Sequence, residues 1–383
     1  MKLKVRPEDF VVEEIIERPL VKNGRYTILK LQKKYWNTLD VIDLAARKRS
    51  VSRDLFSRAG LKDRYSLSTQ YLSFKGDFKG VIKEDNFILT PIGKSEEPIL
   101  PNSLVGNRFK IVLRSLDIKD LDRIAENYSE IESQGFPNYF DDQRFGSARH
   151  HQGFFAKKLI LEHYKGALKL LLCHPYREDG KSTKLFKNHC LQNWGRWEEC
   201  FMLAPREFRR IIGFLMADPK DYRGAIKTID KEMLNLYLLA YQSYIFNQTL
   251  FLLVTDQGVG SKITPYSIGD FKFYKKLKNE SVLKKLKIPM VNEKTKLTGA
   301  IGAMIKSILK EEGVEQKQFA LGKMRFRGVR FKDFLRTAIV FAKELSIGKS
   351  QDDELYQGKK KINLEFILRP GSYATILIKR LLI

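Results

Sequence analysis

The sequence contains few residues suited to disulfide formation or metal binding. Its 383 residues include three cysteines and five histidines. Because the cysteines are odd in number and show no Cys-x-x-Cys spacing, we expect reduced thiols in a cytoplasmic protein. The pair His150–His151 has no second pair at a ligand spacing, and Asp141–Asp142 is a lone acidic pair. The sequence therefore predicts no bound metal.

Long apolar runs are also absent. No stretch approaches the roughly 20 apolar residues that a membrane-spanning helix requires, and no apolar signal-peptide core follows Met1. We therefore expect no membrane partner. Apolar residues nevertheless make up 43% of the chain, a share that is typical of a folded protein. The length allows two domains with sizeable cores.

Acidic residues are scarce relative to basic ones. The chain has 70 Lys and Arg residues against 45 Asp and Glu residues, a formal net charge of +25. Such an excess predicts a polyanionic partner, and nucleic acid is favoured over a membrane surface. A Lys- and Glu-rich surface is also typical of thermophiles. The densest basic segment, residues 272–287, is either a solvated helix face or a surface that follows phosphates, and the sequence favours neither.

Hydrophobic periodicity divides the chain into β-rich ends and a helical middle. Alternation predicts strands at 10–15, 25–31, 70–74, 87–91, 108–114 and 361–369. Helical spacing predicts helices at 39–49, 52–58, 118–133, 154–172, 194–203, 205–216, 230–254 and 372–382. The Asn23-Gly24 turn signal predicts a hairpin between the first two strands. The simplest arrangement is a mixed domain built from both ends of the chain, with a helical domain inserted.

Residues 59–68 place a carboxylate between two cations. Asp63 lies between Lys62 and Arg64, three residues after Gly60. Gly60 predicts a turn that residues with a Cβ resist, so Asp63 is expected on a short loop before a strand. The two cations favour an ionised carboxylate, which suits a nucleophile or base acting on RNA. Taken alone, the stretch favours a solvated turn with a surface ion pair.

Four segments together resemble the motifs of the TruD family of tRNA pseudouridine synthases. In chain order they are residues 3–14, Gly60-Leu61-Lys62-Asp63-Arg64, Pro137-Asn138-Tyr139-Phe140 with Gln143-Arg144-Phe145-Gly146, and Pro370-Gly371-Ser372-Tyr373-Ala374-Thr375. Four matches in the same order are more specific than any one motif. The chain departs from the family at Asp141, where the family has glycine.

The resemblance implies the fold and the domain limits. It implies an α+β fold in which a mixed, largely antiparallel sheet forms the pseudouridine-synthase catalytic domain. That domain would comprise residues 1–146 and 337–383, and residues 147–336 would form the inserted, mainly helical TRUD domain.

The resemblance also implies the reaction, which is the isomerisation of uridine to pseudouridine in tRNA without a cofactor. In bacterial relatives the target is uridine-13 of the D arm. Asp63 would be the catalytic residue, either attacking C1′ or taking a proton from C2′. The substrate-binding residues would be Phe10, Asn138, Tyr373, Lys4, Phe140 and Arg144.

Each implied residue has a physical rationale. Lys4, Lys62 or Arg144 could pair with Asp63. Aromatic rings are needed to hold an extruded base, and Phe10 and Tyr373 are the matched rings. Asn138 offers a donor and an acceptor to a uracil edge, whereas Phe140 would form the pocket floor or belong to the core.

Two other functions are compatible with the same sequence. A non-catalytic RNA-binding or ribosome-assembly protein would explain the charge and the aromatic residues. A metal-dependent nuclease could use Asp63 together with Asp141–Asp142.

Overall fold

A computed structural model describes residues 1–146, 148–149, 152–176, 179–324 and 328–383. The pair His150–His151 lies outside the described residues. Contacts divide the chain into two units. Unit 1 comprises Met1–Phe136 and Val340–Ile383, and unit 2 comprises Pro137–Ile339.

The helices and strands follow one another in three stretches. The first contains β1 (Phe10–Ile16), β2 (Tyr26–Lys33), α1 (Thr38–Arg49), β3 (Phe56–Arg58), β4 (Leu67–Lys75), β5 (Ile82–Glu84), β6 (Phe87–Ser95), β7 (Leu104–Leu116) and α2 (Ile118–Gln134). The second contains β8 (Phe136–Pro137), β9 (Ala148–Arg149), β10 (Gly153–Phe154), α3 (Phe155–Ile160), α4 (Tyr164–Cys173), α5 (Lys181–Gln192), α6 (Trp197–Leu203), α7 (Arg206–Ala217), α8 (Tyr222–Lys227), α9 (Lys231–Gln257), β11 (Gly258–Val259), β12 (Lys262–Tyr266), β13 (Gly269–Phe273), β14 (Lys276–Leu277), α10 (Glu280–Leu283), β15 (Lys287–Pro289), α11 (Gly299–Glu311), β16 (Leu335–Thr337) and β17 (Ile339–Val340). The third contains β18 (Lys343–Ile347), β19 (Gln351–Asp352), β20 (Lys360–Leu368) and α12 (Ala374–Leu381).

Unit 1 is built on a ten-stranded sheet. Its strand order is β18-β20-β7-β1-β4-β2-β6-β5, with β19 beside β20 and β3 beside β4. Strands β1 and β4 run parallel, and the other neighbouring strands are antiparallel. The prediction of an α+β fold with a mixed, largely antiparallel sheet is confirmed.

Helix α1 covers one face of the sheet. Its apolar residues recur at helical spacing, and Val41, Ile42 and Ala45 are buried. They belong to the same core cluster as Leu29 and Leu31 of β2. Because side chains alternate between the two faces of a strand, positions 29, 31 and 33 of β2 all point toward this core.

The structure corrects three predictions of secondary structure. Strands β1 and β2 do not form a hairpin, because β4 pairs with both of them and lies between them. Residues 52–58 form a 3₁₀ turn and strand β3 instead of a helix. The helix predicted over 154–172 is divided at residues 161–163 into α3 and α4.

Unit 2 is mainly helical and centres on α9. This helix has 27 residues and buries Leu238, Tyr241, Phe246 and Leu250 among others. The basic segment 272–287 is not one helix, because it contains parts of β13, β14, α10 and β15. No helix in the described ranges is long and apolar enough to cross a membrane.

Candidate active site

The register of the sheet explains why distant segments meet. Parallel pairing aligns Val11 of β1 with Leu67 of β4, so the segments that precede these two strands lie at the same edge. Antiparallel pairing aligns Lys33, the last residue of β2, with Ser68. The N-terminal arm (residues 2–9), the Asp63 loop (residues 60–66) and the end of β2 therefore come together.

Buried polar side chains hold the backbone of the Asp63 loop. The side-chain Nε2 of Gln70 donates to the carbonyl of Gly60 at 3.4 Å. The Thr38 hydroxyl accepts from the Lys62 amide at 3.4 Å and itself donates to Gln70. The Lys33 ammonium donates to the carbonyls of Lys62 and Asp63 at 3.2 and 2.9 Å. These hydrogen bonds to the loop backbone position the Asp63 carboxylate.

Gly60 does not play the predicted part in this loop. Its φ lies outside the left-handed region, and a Cβ at this position would meet no atom within 4 Å. The prediction of a turn that residues with a Cβ resist is therefore wrong. The loop is shaped by its buried hydrogen bonds instead.

Lys4 forms an ion pair with Asp63. Its Nζ lies 2.6 Å from Oδ2 of Asp63 and 4.3 Å from the ring centroid of Phe10. Lys4 has a φ of 56°, a left-handed conformation that costs a residue with a side chain roughly 1–3 kcal/mol. The structure thus brings together Lys4, Phe10 and Asp63, three of the residues predicted from the sequence.

The cations beside Asp63 in sequence have other partners. The Nζ of Lys62 lies 2.7 Å from Oε1 of Glu14, whose side chain is fully buried, and donates to Asn107 at 2.9 Å. Arg64 donates from Nε to the carbonyl of Tyr35. Sequence neighbours therefore brace the loop, and the N-terminal arm supplies a partner of the carboxylate.

A buried ion cluster anchors the N-terminal arm. Arg114 of β7 donates from Nε to both carboxylate oxygens of Asp9 at 2.9 Å and from NH1 to Asp353 at 3.0 Å. Hydrogen bonds to Asp9 raise the pKa of Arg114 above its usual range. Burial alone would raise the pKa of Asp353, but hydrogen bonds from the Ser115 and Leu355 amides and from Arg114 hold it below its ordinary 3.8. The cluster fixes the segment that leads from Lys4 into β1.

Tyr373 belongs to unit 1 and lies at the N-cap of α12. Its carbonyl accepts from the amide of Ile376 at 3.1 Å, and its side chain is half-buried. The preceding Gly371 has a φ of 80°, which favours glycine. The 372–382 helix predicted from the sequence is observed as α12.

Asn138, Phe140 and Arg144 form a group within unit 2. The Asn138 amide is buried, donates to the carbonyl of Thr337 at 3.0 Å, and accepts from Arg336 at 2.7 Å. The Arg336 guanidinium lies 3.9 Å from the ring centroid of Phe140, and that of Arg144 lies 5.4 Å from the same ring. The contact of Asn138 with a uracil edge stays a prediction. It requires the second N–H of the side-chain Nδ2 and the second lone pair of Oδ1.

The acidic pair after Phe140 accepts hydrogen bonds from backbone amides. Asp141 accepts from the amide of Asp142 at 2.9 Å, and Asp142 accepts from the amide of Ser267 at 2.8 Å. Over the described ranges, no group of three or more His, Cys, Asp or Glu side chains is arranged to hold a metal ion.

Sequence reasoning missed four buried charges. Glu14, Lys33, Arg114 and Arg336 are all buried, although charged residues are mostly exposed in folded proteins. For Lys33 a signal was present, because it continues the alternation of the apolar residues of β2. For Arg336 no comparable signal exists in the sequence.

Comparison with known proteins places the whole chain in one family. The family described as tRNA pseudouridine synthase D (TruD) matches residues 1–381. The probable tRNA pseudouridine synthase D 1 of Methanococcus maripaludis is 34% identical and covers 99% of each chain. The probable tRNA pseudouridine synthase D 2 of Methanocaldococcus jannaschii is also 34% identical, covering 99% of this chain and 91% of its own.

A solved structure agrees with the sequence comparisons. The crystal structure of the putative tRNA pseudouridine synthase D from Methanosarcina mazei matches with a TM-score of 0.71 at 26% identity, covering 99% of this chain and 93% of that one. The resemblance predicted from the four motifs is confirmed. The chain therefore belongs to the TruD family of tRNA pseudouridine synthases, which are isomerases.

Proposed function

We propose that the chain converts uridine-13 in the D arm of tRNA to pseudouridine, with Asp63 as the catalytic residue. One observation carries the proposal: a carboxylate on a braced loop lies 2.6 Å from Lys4, and Lys4 also contacts the ring of Phe10. This arrangement combines a fixed carboxylate, a cation and an aromatic side chain within one unit.

The reaction is balanced without a cofactor. The N1–C1′ bond of uridine breaks and a C5–C1′ bond forms. The proton on C5 is lost and N1 gains a proton, so substrate and product are isomers. The protein has to orient the sugar, hold the detached base and move one proton.

Two routes use the same carboxylate. In one, an oxygen of Asp63 attacks C1′ and forms a covalent sugar ester, which the base displaces through C5. In the other, Asp63 takes the C2′ proton as the base leaves, and returns it when the new bond has formed. In both, Lys4 orients the carboxylate, because its ammonium binds Oδ2 of Asp63.

The remaining predicted residues are assigned to RNA binding. A base has to leave its stack before its glycosidic bond can react, and aromatic rings stabilise the extruded base. We assign this part to Phe10 and Tyr373. Asn138, Phe140 and Arg144 are assigned to an RNA-contacting loop of unit 2, where the buried guanidinium of Arg336 holds the backbone of Asn138.

The test is to incubate the protein with an unmodified tRNA transcript in the presence of a chelator. Pseudouridine is then mapped by chemical labelling and primer extension, with a transcript carrying cytidine-13 as the matched control. We expect one pseudouridine, at position 13, in the first transcript only. Binding without pseudouridine would instead support an RNA-binding protein, and shortened RNA that disappears with chelator would support a nuclease.

A further inference from the structure

Lys33 places an ammonium group on the buried face of a strand. It continues the alternation of Leu29 and Leu31, which belong to the core beneath α1, and it is 1% exposed. Its neighbours on the flanking strands are Ser68 on β4 and Phe87 on β6, neither of which carries a charge. A cation in such a position needs acceptors within the protein.

The acceptors of Lys33 are two consecutive carbonyls. They belong to Lys62 and Asp63, at 3.2 and 2.9 Å, and they flank the α-carbon of Asp63. Holding both oxygens restrains φ and ψ of this residue together. Hydrogen bonds from a charged donor are about twice as strong as those from a neutral one, so the charge of Lys33 determines how tightly the loop is held.

We propose that Lys33 is a positioning residue, whose ammonium holds the backbone on both sides of Asp63 and so fixes the carboxylate for the reaction. This inference rests on the proposed function, because it takes Asp63 as the catalytic residue. Lys33 itself acts through the loop and need not touch the substrate.

The protonation of Lys33 makes the inference testable. Burial lowers the pKa of Lys33 from 10.5 to about 8, the Asp63 carboxylate opposes this shift, and the Lys62 ammonium adds to it. The ammonium therefore loses its proton in mildly alkaline solution. The hydrogen bonds from Lys33 to the two carbonyls then weaken, and turnover should fall as the pH rises through about 8.

Stability should respond to the same titration with the opposite sign. The pKa of Lys33 is lower in the folded than in the unfolded chain, so the unfolded chain binds more protons between the two values. The contribution of Lys33 to stability therefore rises with pH from about 8 to 10.5. Deprotonation of Lys33 should therefore lower turnover without unfolding the protein. A purely structural role would instead lower turnover and stability together.

The experiment measures single-turnover rates on saturating tRNA on both sides of pH 8, with tRNA affinity and melting temperature measured in parallel. Lys33→Met removes the charge, Lys33→Arg stays charged throughout, and Lys30→Met is the control on the opposite face of β2. We expect Lys33→Met to lose at least about tenfold in rate near neutral pH with affinity within about twofold. The wild type should show an alkaline decline that Lys33→Arg lacks.

Two results would overturn the proposal. One is a Lys33→Met rate within about twofold of the wild type. The other is an alkaline decline that persists in Lys33→Arg.

A second measurement needs no catalysis. Trypsin cleavage after Lys62 or Arg64 reports how firmly the loop is held in the free protein. We expect faster cleavage in Lys33→Met than in the wild type or Lys30→Met, and equal cleavage would contradict the proposal. Because no RNA is present, this result distinguishes a failure of the Lys33 inference from a failure of the proposed function.

Discussion

The ammonium of Lys4 lies 2.6 Å from a carboxylate oxygen of Asp63, although 59 positions separate the two residues in the chain. Parallel pairing of β1 and β4 makes this contact possible, because it brings the segments before both strands to one edge of the sheet. The left-handed conformation of Lys4 directs the chain there at a cost in free energy.

Replacing Lys4 tests the value of this contact. Lys4→Met should slow the chemical step roughly tenfold to a hundredfold, because the carboxylate loses its orientation. Stability should change by less than about 1 kcal/mol, since the ion pair is partly exposed. Single-turnover rates and urea unfolding measure both effects, with Lys22→Met on an exposed loop as the control. A Lys4→Met enzyme as fast as the control would contradict the orienting role.

The Asp9–Arg114–Asp353 cluster predicts a pH-dependent contribution to stability. The pKa of Asp353 is lower in the folded chain than its ordinary 3.8. Its contribution is therefore complete above 3.8 and is lost as the pH falls through the folded value. Asp353→Asn should lower the free energy of unfolding by roughly 1.5–3 kcal/mol near neutral pH, and the difference from the wild type should shrink in acid.

The neighbouring Asp352 supplies the control for this measurement. Its side chain is 91% exposed and pairs with Lys360, so Asp352→Asn should be nearly neutral. Urea unfolding at neutral and acid pH compares the two variants. A difference between Asp353→Asn and the wild type that does not depend on pH would show that the carboxylate charge contributes nothing.

Tyr373 is expected to act through its ring. Stacking of a base on an aromatic side chain is worth roughly 1–3 kcal/mol. Tyr373→Phe should therefore behave like the wild type, and Tyr373→Leu should lose roughly tenfold to a hundredfold in single-turnover rate. If Tyr373 serves only to pack α12, Tyr373→Leu will lower the melting temperature and the rate together. If Tyr373→Phe is as slow as Tyr373→Leu, the hydroxyl is needed and the stacking role fails.

Much of unit 1 could be predicted because its strands carry local signals. The alternation at 108–114 marks β7, and the helical spacing at 118–133 marks α2. The hairpin at Asn23-Gly24 was wrong because a turn signal does not reveal that β4 will lie between the strands it joins. Strand order depends on contacts distant in sequence, which local patterns do not encode.

The site was predicted less completely than the sheet. The four motifs pointed to Lys4, Phe10 and Asp63, which the structure brings together. They did not include Lys33 and assigned no role to Glu14, because a charged residue in a strand looks like a solvated one until the register assigns its face. The same limit applies to the cations beside Asp63 in sequence. Lys62, for example, forms its ion pair with Glu14.

The basic segment offers a test of RNA binding by unit 2. Lys275, Lys276 and Lys285 are exposed, and their reversal to Glu should weaken tRNA binding. The slope of log affinity against log salt concentration should become less steep by about 0.7 for each phosphate contact that is lost. Reversal of Lys79, Lys83 and Lys119, which are exposed on unit 1, is the control with the same change in net charge. Equal losses in both triple variants would show that overall charge, rather than this segment, determines affinity.

The central claim is that Asp63 performs the chemistry, and Asp63→Asn tests it most directly. The measurement is pseudouridine formed at uridine-13 per enzyme in a single turnover, with tRNA affinity and melting temperature measured on the same samples and Asp54→Asn as the exposed control. We expect Asp63→Asn to lose at least about a hundredfold in rate while it binds tRNA and melts like the wild type. Pseudouridine formation within about tenfold of the wild-type rate would contradict the assignment.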